Sequence, residues 1–336
     1  IAQAVIALAM ILALVGSASA GSIPTSSYIV QAASAEKAAA VVNAYGGSVT
    51  SALPIINGVA ANLTESESKF LSKNPEILAV TKDHEVKLSA SESASSPVDG
   101  KTSTDYPEVA GADVVWENGI TGNGITVAVL DTGIAKLPSL TKSANNKSRL
   151  LAWYDAIEGN KQPVDPNGHG SHVAGIIANS DIGGDKSWNG IAPNANLVAV
   201  RVLNADGYGT YQSVITGLQW VIDHKKDYNI RIVNLSLVSQ VESPYFADPL
   251  NQAVTAAWAK GLVVVTAAGN EGPAAMSISV PGNNPYAITV GAFTDAYTPD
   301  NWNDDYIADF SAAGPTLDGF VKPDLVAPGG HISSIT

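Results

Sequence analysis

The stretch Val127-Ala128-Val129-Leu130-Asp131-Thr132-Gly133 is an apolar run that ends in a carboxylate and a glycine turn. An unbroken apolar run of this length is typical of a strand that a parallel sheet buries on both faces. Asp131 is then the residue with which the chain leaves the sheet. Because open α/β sheets place their working groups at the carboxyl ends of the strands, Asp131 is a candidate functional residue.

Similar apolar runs follow along the rest of the chain, and helical segments separate several of them. The predicted strands cover residues 125–130, 150–154, 197–203, 230–235, 262–267 and 287–290, and the predicted helices cover 172–178, 211–225 and 249–259. Strands that alternate with helices predict an α/β fold with a doubly wound, mostly parallel sheet. Asn270 follows the strand at 262–267, so we expect it at the same edge of the sheet as Asp131.

A second stretch, Asn167-Gly168-His169-Gly170-Ser171-His172-Val173-Ala174-Gly175, places an imidazole at the start of a helix. A carboxylate that orients a histidine supplies two members of a proton-relay triad. Asn270, which follows Gly269, adds a side-chain amide that can stabilise an oxyanion. The sequence therefore predicts nucleophilic catalysis in which His169 moves the proton and Asp131 orients and supports its ring.

Two other kinds of site use the same residue types. Asp-Thr-Gly after an apolar run is also the signature of aspartic proteases, whose chemistry needs two carboxylates that share a proton. That motif occurs once here, so two copies of the chain would have to pair across a dimer. A metal site built on His169 and His172 needs further ligands, and the helical segment that contains them has no Glu or Asp. We therefore predict no metal-ligating residue and expect His172 to pack internally.

Five blocks of the chain resemble, in order, the signature blocks of the subtilisin-like serine peptidases, the subtilases. These blocks cover residues 131–133, 167–175, 234–237, 267–273 and 322–329. The resemblance implies that Asp131 supports His169 and that His169 takes the proton of a nucleophilic serine. It also implies that the side chain of Asn270 donates a hydrogen bond to the oxyanion of the tetrahedral intermediate.

The family binds its substrate as an added strand between two edges of the enzyme. The resemblance implies one edge at 207–209 and another at 236–238. It also implies an aromatic side chain that lines the pocket for a substrate residue further from the scissile bond. The predicted substrate-binding residues are Gly207, Tyr208, Gly209, Tyr211, Ser236, Leu237, Val238, Ala268 and Gly269. The family usually has glycine where this chain has Val238, so we predict a preference for small or unbranched side chains before the scissile bond.

No serine near the end of the sequence has the setting of a nucleophile. In the family, the serine lies in a Gly-Thr-Ser-Met-Ala string after the block at 322–329, whereas Ser333 and Ser334 lack the glycine turn and the following helix. We therefore expect the triad serine beyond residue 336, in a C-terminal portion that these 336 residues do not include, and expect these 336 residues to hydrolyse nothing. The alternative is a non-catalytic, peptide-binding relative of the subtilases.

Calcium is common in the family, although the predicted chemistry requires no cofactor. Ser139 stands where many members place a carboxylate ligand, which weakens the best-known calcium site. Asn179, Asp181 and Asp185 supply oxygen ligands of the type that calcium prefers. A solvated acidic loop is the favoured interpretation of these three residues, so structural calcium remains unassigned.

The N-terminal third of the chain has the features of a secreted precursor, with a signal peptide and a small domain before the large one. Residues 1–15 form an apolar run that small residues follow, which predicts a secretory signal peptide at 1–20, hence an extracellular protein, rather than a membrane anchor. Residues 23–88 predict a small α+β ferredoxin-like domain with a strand around residue 29, a helix at 35–45, a strand or hairpin at 55–61, a helix at 64–74 and a strand at 77–88.

This small domain resembles the propeptide of the family, an intramolecular chaperone and inhibitor of the enzyme. Residues 89–106 have the composition of an exposed linker and are expected to hold the maturation site. Residues 107–336 form the predicted catalytic domain. The expected partners are therefore polypeptide substrates and the chain's own propeptide.

The composition excludes several other classes of protein. Hydrophobic residues make up 46% of the 336 residues and charged residues only 15%, so a large buried core is expected. The net charge of −13 disfavours nucleic acid and anionic membranes as partners. The absence of cysteine excludes disulfides, a thiol nucleophile and cysteine metal sites.

Overall fold

The computed structural model describes residues 24–89 and 104–335. The predicted signal peptide at 1–20 and most of the predicted linker at 89–106 therefore lie outside the described residues. The described chain contains a four-stranded sheet, an eight-stranded sheet and a three-stranded sheet. The first belongs to a small N-terminal domain, the second to a large domain, and the third joins the two.

The small domain is an antiparallel sheet of strand order β2-β3-β1-β4 that packs against a helix. Its elements are β1 (Ser26–Ala32), α1 (Ala35–Ala44), β2 (Ser48–Leu53), β3 (Gly58–Leu63), α2 (Glu65–Leu71) and β4 (Ile77–Lys82). The order of strands and helices, βαββαβ, is that of the ferredoxin-like fold. Apolar side chains from β1, β3 and α1 form its own core, so the fold class predicted for this domain is confirmed.

Two predictions of local structure in the small domain were wrong and one was confirmed. Strand β2 was not predicted, because its sequence Ser-Val-Thr-Ser-Ala-Leu carries little apolar signal and its side chains before the buried Leu53 alternate between exposed and half-buried. The hairpin expected around Asn57 is present, since β2 pairs antiparallel with β3, and its turn contains a 3-10 segment, Pro54–Ile56, that Asn57 ends with φ 53°. Helix α2 keeps the predicted capping box between Thr64 and Glu67 but ends at Leu71 rather than at residue 74.

The predicted strand at 77–88 splits into two strands. Its first half is β4, which pairs with β1, and its second half is β5 (Glu85–Leu88). Strand β5 leaves the small sheet and pairs with two strands of the large domain. Local sequence could not show this division, because the partners of β5 lie more than a hundred residues away.

The large domain has helices on both faces of a mostly parallel sheet. Its elements are α3 (Tyr106–Val109), α4 (Ala112–Glu117), β6 (Thr126–Asp131), α5 (Pro138–Thr141), β7 (Leu150–Asp155), α6 (His169–Ala178), β8 (Asn196–Arg201), β9 (Tyr208–Thr210), α7 (Tyr211–His224), β10 (Ile230–Leu235), β11 (Leu237–Val238), α8 (Pro249–Ala259), β12 (Val263–Ala267), β13 (Ile288–Thr294), β14 (Tyr306–Ile307) and β15 (Leu325–Pro328). The strand order is β14-β13-β12-β10-β6-β8-β7, with β15 beside β13. Only the pair of β13 with β14 is antiparallel among the described pairs of this sheet.

Strand β6 shows why an unbroken apolar run was required. Ala128 and Leu130 point into the core that contains α7 and α8, whereas Val127 and Val129 point into the core that contains α6. All six residues of β6 are buried. The predicted doubly wound α/β fold is therefore confirmed.

Helix α6 begins at His169, three residues earlier than predicted. Its buried face consists of small residues, among them Gly170, Ser171 and Ala174, which allow close packing. The earlier start places the imidazole of His169 in the first turn of the helix, beside the end of β6.

The third sheet lies between the two domains, with strand order β9-β5-β11 and both pairs antiparallel. Beside it, apolar side chains of the small domain join the core of the large one, namely Ile29, Leu53, Ile56, Ala60 and Val86. The end of the small domain is thus a strand of the large domain. Within the described residues, no helix is long and apolar enough to cross a membrane.

Candidate active site

The structure brings Asp131 and His169 together at the carboxyl end of β6. Asp131 is fully buried, and its Oδ1 lies 2.8 Å from Nδ1 of His169. The backbone N–H of Thr132 donates to the same oxygen at 2.7 Å. The carboxylate therefore holds one nitrogen of the ring, which leaves Nε2 to face a reacting group.

Two glycines allow this approach of strand end and helix start. A side chain at Gly133 would place its Cβ 1.8 Å from the carbonyl oxygen of Val164. A side chain at Gly170 would place its Cβ 2.0 Å from the carbonyl oxygen of Gly133. The backbone N–H of Gly170 donates to Oγ1 of Thr132 at 2.9 Å. Larger residues at either position would separate Asp131 from His169.

Asp165 connects these elements, and sequence reasoning missed it. Its Oδ1 accepts hydrogen bonds from the hydroxyl of Thr132 at 2.8 Å and from the N–H of Gly168 at 2.9 Å. Its Oδ2 accepts from the N–H and the hydroxyl of Ser171 at 2.7 and 2.6 Å. The turn sequence Asp165-Pro166-Asn167-Gly168 before a helix is a typical capping signal and could have revealed this role.

Two opposing effects set the pKa of His169. Burial disfavours the imidazolium and lowers the pKa, but the charge and hydrogen bond of Asp131 and the charge of Asp165 raise it by more. The net result is a pKa above the ordinary value of 6.5. An imidazole poised in this way suits a general base near neutral pH.

The described residues place no serine hydroxyl in hydrogen-bond contact with His169. The hydroxyl of Ser171 donates to Asp165 and accepts from the N–H of Ala135. The hydroxyl of Ser236 accepts from the side chain of Asn234. These serines are structural, and the hydroxyl of Ser334 likewise donates to the carbonyl of His172.

Asn270 lies just beyond β12, which runs parallel to β10 and is connected through it to β6. Its side chain is half-buried and has no hydrogen-bond partner among residues 24–89 and 104–335. The backbone that precedes it is fixed, since the carbonyls of Ala268 and Gly269 accept from Ser279 and Ala312. A free amide donor therefore stands at the same sheet edge as Asp131.

His172 is set apart from this pair. Burial and the charge of His169 lower its pKa, and its Nε2 is buried without a hydrogen-bond partner among the described residues. A half-buried imidazole with a lowered pKa packs or hydrogen-bonds internally, as the sequence suggested.

The described residues contain no group of three His, Cys, Asp or Glu side chains that could hold a metal ion. The side chains of Asn179 and Asp185 accept backbone hydrogen bonds of their own loop. The carbonyl of Ser139 accepts from the buried guanidinium of Arg149, so a positive charge of the chain itself stands there. Calcium in this region stays unassigned.

The two edges expected for a substrate strand hold β5. The N–H of Leu88 donates to the carbonyl of Gly207, and that of Ser89 donates to the carbonyl of Ser236, both at 3.1 Å. Tyr208 and Val238 stand opposite Lys87 on the two sides.

Two further members of the predicted set pair with β5. Gly209 pairs with Val86 on one side of β5, and Leu237 pairs with Leu88 on the other. The seven predicted residues at 207–211 and 236–238 that flank β5 are thus brought together by the structure.

The side chains of β5 alternate between two different environments. Val86 is fully buried in the same apolar cluster as Tyr211, whose hydroxyl donates to Asp248 at 2.8 Å. The side chain of Leu88 lies over Gly207, where an added Cβ would stand 2.6 Å from its Cδ1. Lys87 points to the other face, into a cavity of about 660 Å³ that Val238 helps to line.

Known protein families match both domains. The model of the subtilase family matches residues 122–336, and the model of the peptidase inhibitor I9 family matches residues 18–89. The first match contains Asp131, His169 and Asn270, and the second contains β5.

Curated relatives give the same result. The chain is 41% identical to serine protease AprX of Bacillus subtilis (strain 168) over 235 residues, which cover 68% of this chain and 52% of AprX. It is 39% identical to subtilisin BL of Lederbergia lenta over 225 residues, which cover 66% of this chain and 70% of that protein. It is 32% identical to subtilisin E of Bacillus subtilis (strain 168) over 310 residues, which cover 91% of this chain. The chain therefore spans about half the length of AprX and somewhat more of the two subtilisins.

Proposed function

This chain belongs to the subtilase family, and on that premise we propose that it is part of the precursor of a secreted serine endopeptidase. The observation that carries the proposal is the 2.8 Å contact between Asp131 and His169, at a sheet edge that also borders an occupied peptide groove. Secretion rests on the sequence of residues 1–20, which has the composition of a signal peptide.

In the proposed mechanism, Asp131 fixes the ring of His169 and stabilises its positive charge. Nε2 of His169 takes the proton from a serine hydroxyl as the serine oxygen attacks the peptide carbonyl carbon. The amide of Asn270 donates to the oxyanion, and His169 then returns the proton to the leaving amine. Water attacks the acyl-enzyme by the same route in reverse and releases the acid.

We propose that the nucleophilic serine lies outside these 336 residues. The serines nearest to His169 in the sequence hold backbone and carboxylate groups in place, as described above for Ser171. A hydroxyl bonded to a carboxylate and a backbone N–H is positioned for structure rather than for attack.

The small domain is proposed to act as inhibitor, because its strand β5 occupies the groove proposed for substrate. Ser89 is the last described residue that the groove holds. Asn167 Nδ2 lies 3.8 Å from the position of an added Cβ on Gly207, under Leu88, and Asn167 precedes His169 by two residues. This proximity supports a path of the chain from β5 toward the imidazole. We therefore propose that maturation cleaves the peptide bond that follows Ser89.

Two features support the preference for a small side chain before the scissile bond. Val238 is buried beside the face of β5 that carries Lys87 and Ser89. Ser89, which occupies the proposed position, is itself small. A branched side chain at Val238 reduces the space that a large aromatic residue would need.

A serine-directed fluorophosphonate probe tests the proposed chemistry. The full-length gene product, matured and freed of its small domain, should be labelled at one serine and should hydrolyse casein. His169→Ala should abolish the labelling while the protein stays folded. A folded protein that binds peptides but is neither labelled nor active would contradict the proposal and support the non-catalytic alternative.

A further inference from the structure

Two contacts between a basic and an acidic side chain join β5 and the residue before it to the large domain along one cavity. Nζ of Lys87 lies 3.6 Å from Oε1 of Glu271, and Nδ1 of His84 lies 3.6 Å from Oε1 of Glu242. In both pairs, the small domain supplies the base and the large domain supplies the carboxylate. Both glutamates are more than half exposed, so solvent reaches them.

The large domain offers this cavity no positive charge. Of the described residues that line it, the small domain contributes His84, Glu85 and Lys87, while the other charged side chains are Glu242 and Glu271. Once β5 leaves, the charged groups of the cavity wall are therefore two carboxylates. Residues 104–336 carry 23 acidic and 12 basic side chains, so the field of the whole domain favours cations as well.

The position of Lys87 on β5 corresponds to one residue position of a substrate that binds in the same groove. Side chains of a strand alternate between its two faces, so Lys87 and Ser89 share the face that borders the cavity. Ser89 is the residue before the proposed scissile bond. A substrate in the same register therefore presents to Glu271 the side chain two residues before the one whose carbonyl is attacked.

We propose that Glu271 makes the mature groove selective for peptides with a lysine or arginine at the position that Lys87 occupies. This inference rests on the proposed function, because it assumes that substrates follow the register of β5. Glu271 is a specificity-determining residue in this proposal and takes no part in the proton transfers. The substrate class is thus cationic polypeptides with a small residue at the cleavage point.

Matched peptides test the inference on the mature, full-length enzyme. Two peptides with the sequence of residues 84–89, one with Lys and one with Gln at the position of Lys87, are extended by the same reporter group. An exposed ion pair predicts that kcat/KM for the Lys peptide exceeds that for the Gln peptide by about threefold to fivefold at low salt. This ratio should fall toward one at high ionic strength.

Three variants separate a local effect from a general one. Glu271→Gln should reduce the Lys/Gln ratio to about one, and the use of a ratio cancels any effect on the neighbouring Asn270. Glu117→Gln, on the exposed surface of α4, should leave the ratio unchanged. Glu242→Gln should reduce the ratio less than Glu271→Gln does, because Glu242 faces His84 instead.

A ratio of one in the unmodified enzyme would overturn the inference, as would an equal reduction by Glu242→Gln and Glu271→Gln. If neither peptide is cleaved, the proposed function fails but the inference is still tested, because the dissociation constants of the two peptides should show the same ratio. Equal dissociation constants would then overturn it.

Discussion

The Asp131–His169 pair and the groove that holds β5 are built in different ways. The pair lies within the large domain, where two glycines let a strand end contact a helix start and one buried carboxylate fixes the ring. The groove is completed by a strand from the other domain, through backbone hydrogen bonds and an ion pair at its rim. Turnover should therefore depend on the first region and peptide binding on the second, so that each can be changed separately.

The largest effect should follow from Asp131→Asn in the matured full-length enzyme. An amide at this position can hold the wrong tautomer of His169 and cannot stabilise the imidazolium. We expect kcat to fall by about 10⁴-fold, the size of loss found for the corresponding carboxylate of a subtilisin, with little change in the affinity for the small domain. Steady-state kinetics and inhibition by the small domain measure the two quantities.

Asp223→Asn is the matched control for this change. Asp223 is an exposed carboxylate on α7 that accepts a hydrogen bond from Gln219. It should leave kcat unchanged. A loss of inhibitor affinity as large as the loss of kcat in Asp131→Asn would show that the two regions are not separable.

A charge within the groove should have the opposite effect to Asp131→Asn, because it should weaken inhibition by the small domain and leave kcat unchanged. Val86→Asp places an unpaired carboxylate at a fully buried position between the domains. Desolvation of that charge should weaken inhibition by the small domain by about 10²-fold or more, without effect on kcat. The small domain should stay folded, since Val86 lies on β5, outside its four-stranded sheet.

Leu78→Asp provides the contrast on β4. Leu78 is 74% exposed, so a carboxylate there stays in water. We expect inhibition constants within about twofold of the original for this surface change. Equal weakening by Leu78→Asp and Val86→Asp would mean that β5 does not carry the interaction.

The fall of kcat/KM at low pH should report the protonation of His169 beside Asp131. Because the pKa of His169 is raised above 6.5, kcat/KM should reach half of its maximum at a pH above 6.5 and fall about tenfold per pH unit below it. Asp131→Asn should move this midpoint down, since the charge and hydrogen bond of Asp131 are the main causes that raise the pKa.

The contribution of His169 to folding stability should change in the opposite direction to activity as the pH rises. A raised pKa means that folded His169 holds its proton more tightly than the unfolded chain does. This group therefore adds stability below pH 6.5, and its contribution is lost as the pH rises through the folded-state pKa. Activity lost at low pH while the thermal midpoint falls in parallel would contradict the assignment to His169.

The smallest effect on inhibition should come from side-chain hydrogen bonds between the two domains that lie outside β5. The side chain of Gln219 accepts a hydrogen bond from the N–H of Ile55 at 2.7 Å in a partly buried setting. Gln219→Ala leaves that N–H without its partner and should weaken inhibition by about fivefold. Gln212→Ala removes an exposed contact with Thr50 and should cost less than that. A larger loss for Gln212→Ala would place the main contact elsewhere.

The pair could be predicted from sequence because its signals are local. An apolar run that ends in Asp131 and a glycine-flanked His169 each describe their own element, and the parallel sheet then brings the strand ends to one edge. Asp165 was missed because a carboxylate in a turn has many structural uses, and its two roles become visible only when Thr132 and Ser171 are seen around it.

The groove could be predicted only through the resemblance. The residues at 77–88 form one continuous strand pattern, and nothing within them states that β4 and β5 belong to different sheets. Strand β2 was missed for a related reason, since its stability comes from pairing with β3 rather than from its own apolar residues. Long-range pairing decides both cases.

The C-terminus of the released small domain tests the central claim most directly. If β5 lies in the substrate groove and leads into the catalytic centre, the intact mass of the fragment released during maturation should show that it ends at Ser89. The same fragment should be absent when His169 is replaced by Ala. A fragment that ends before β5, or one produced equally by the His169→Ala variant, would contradict the account.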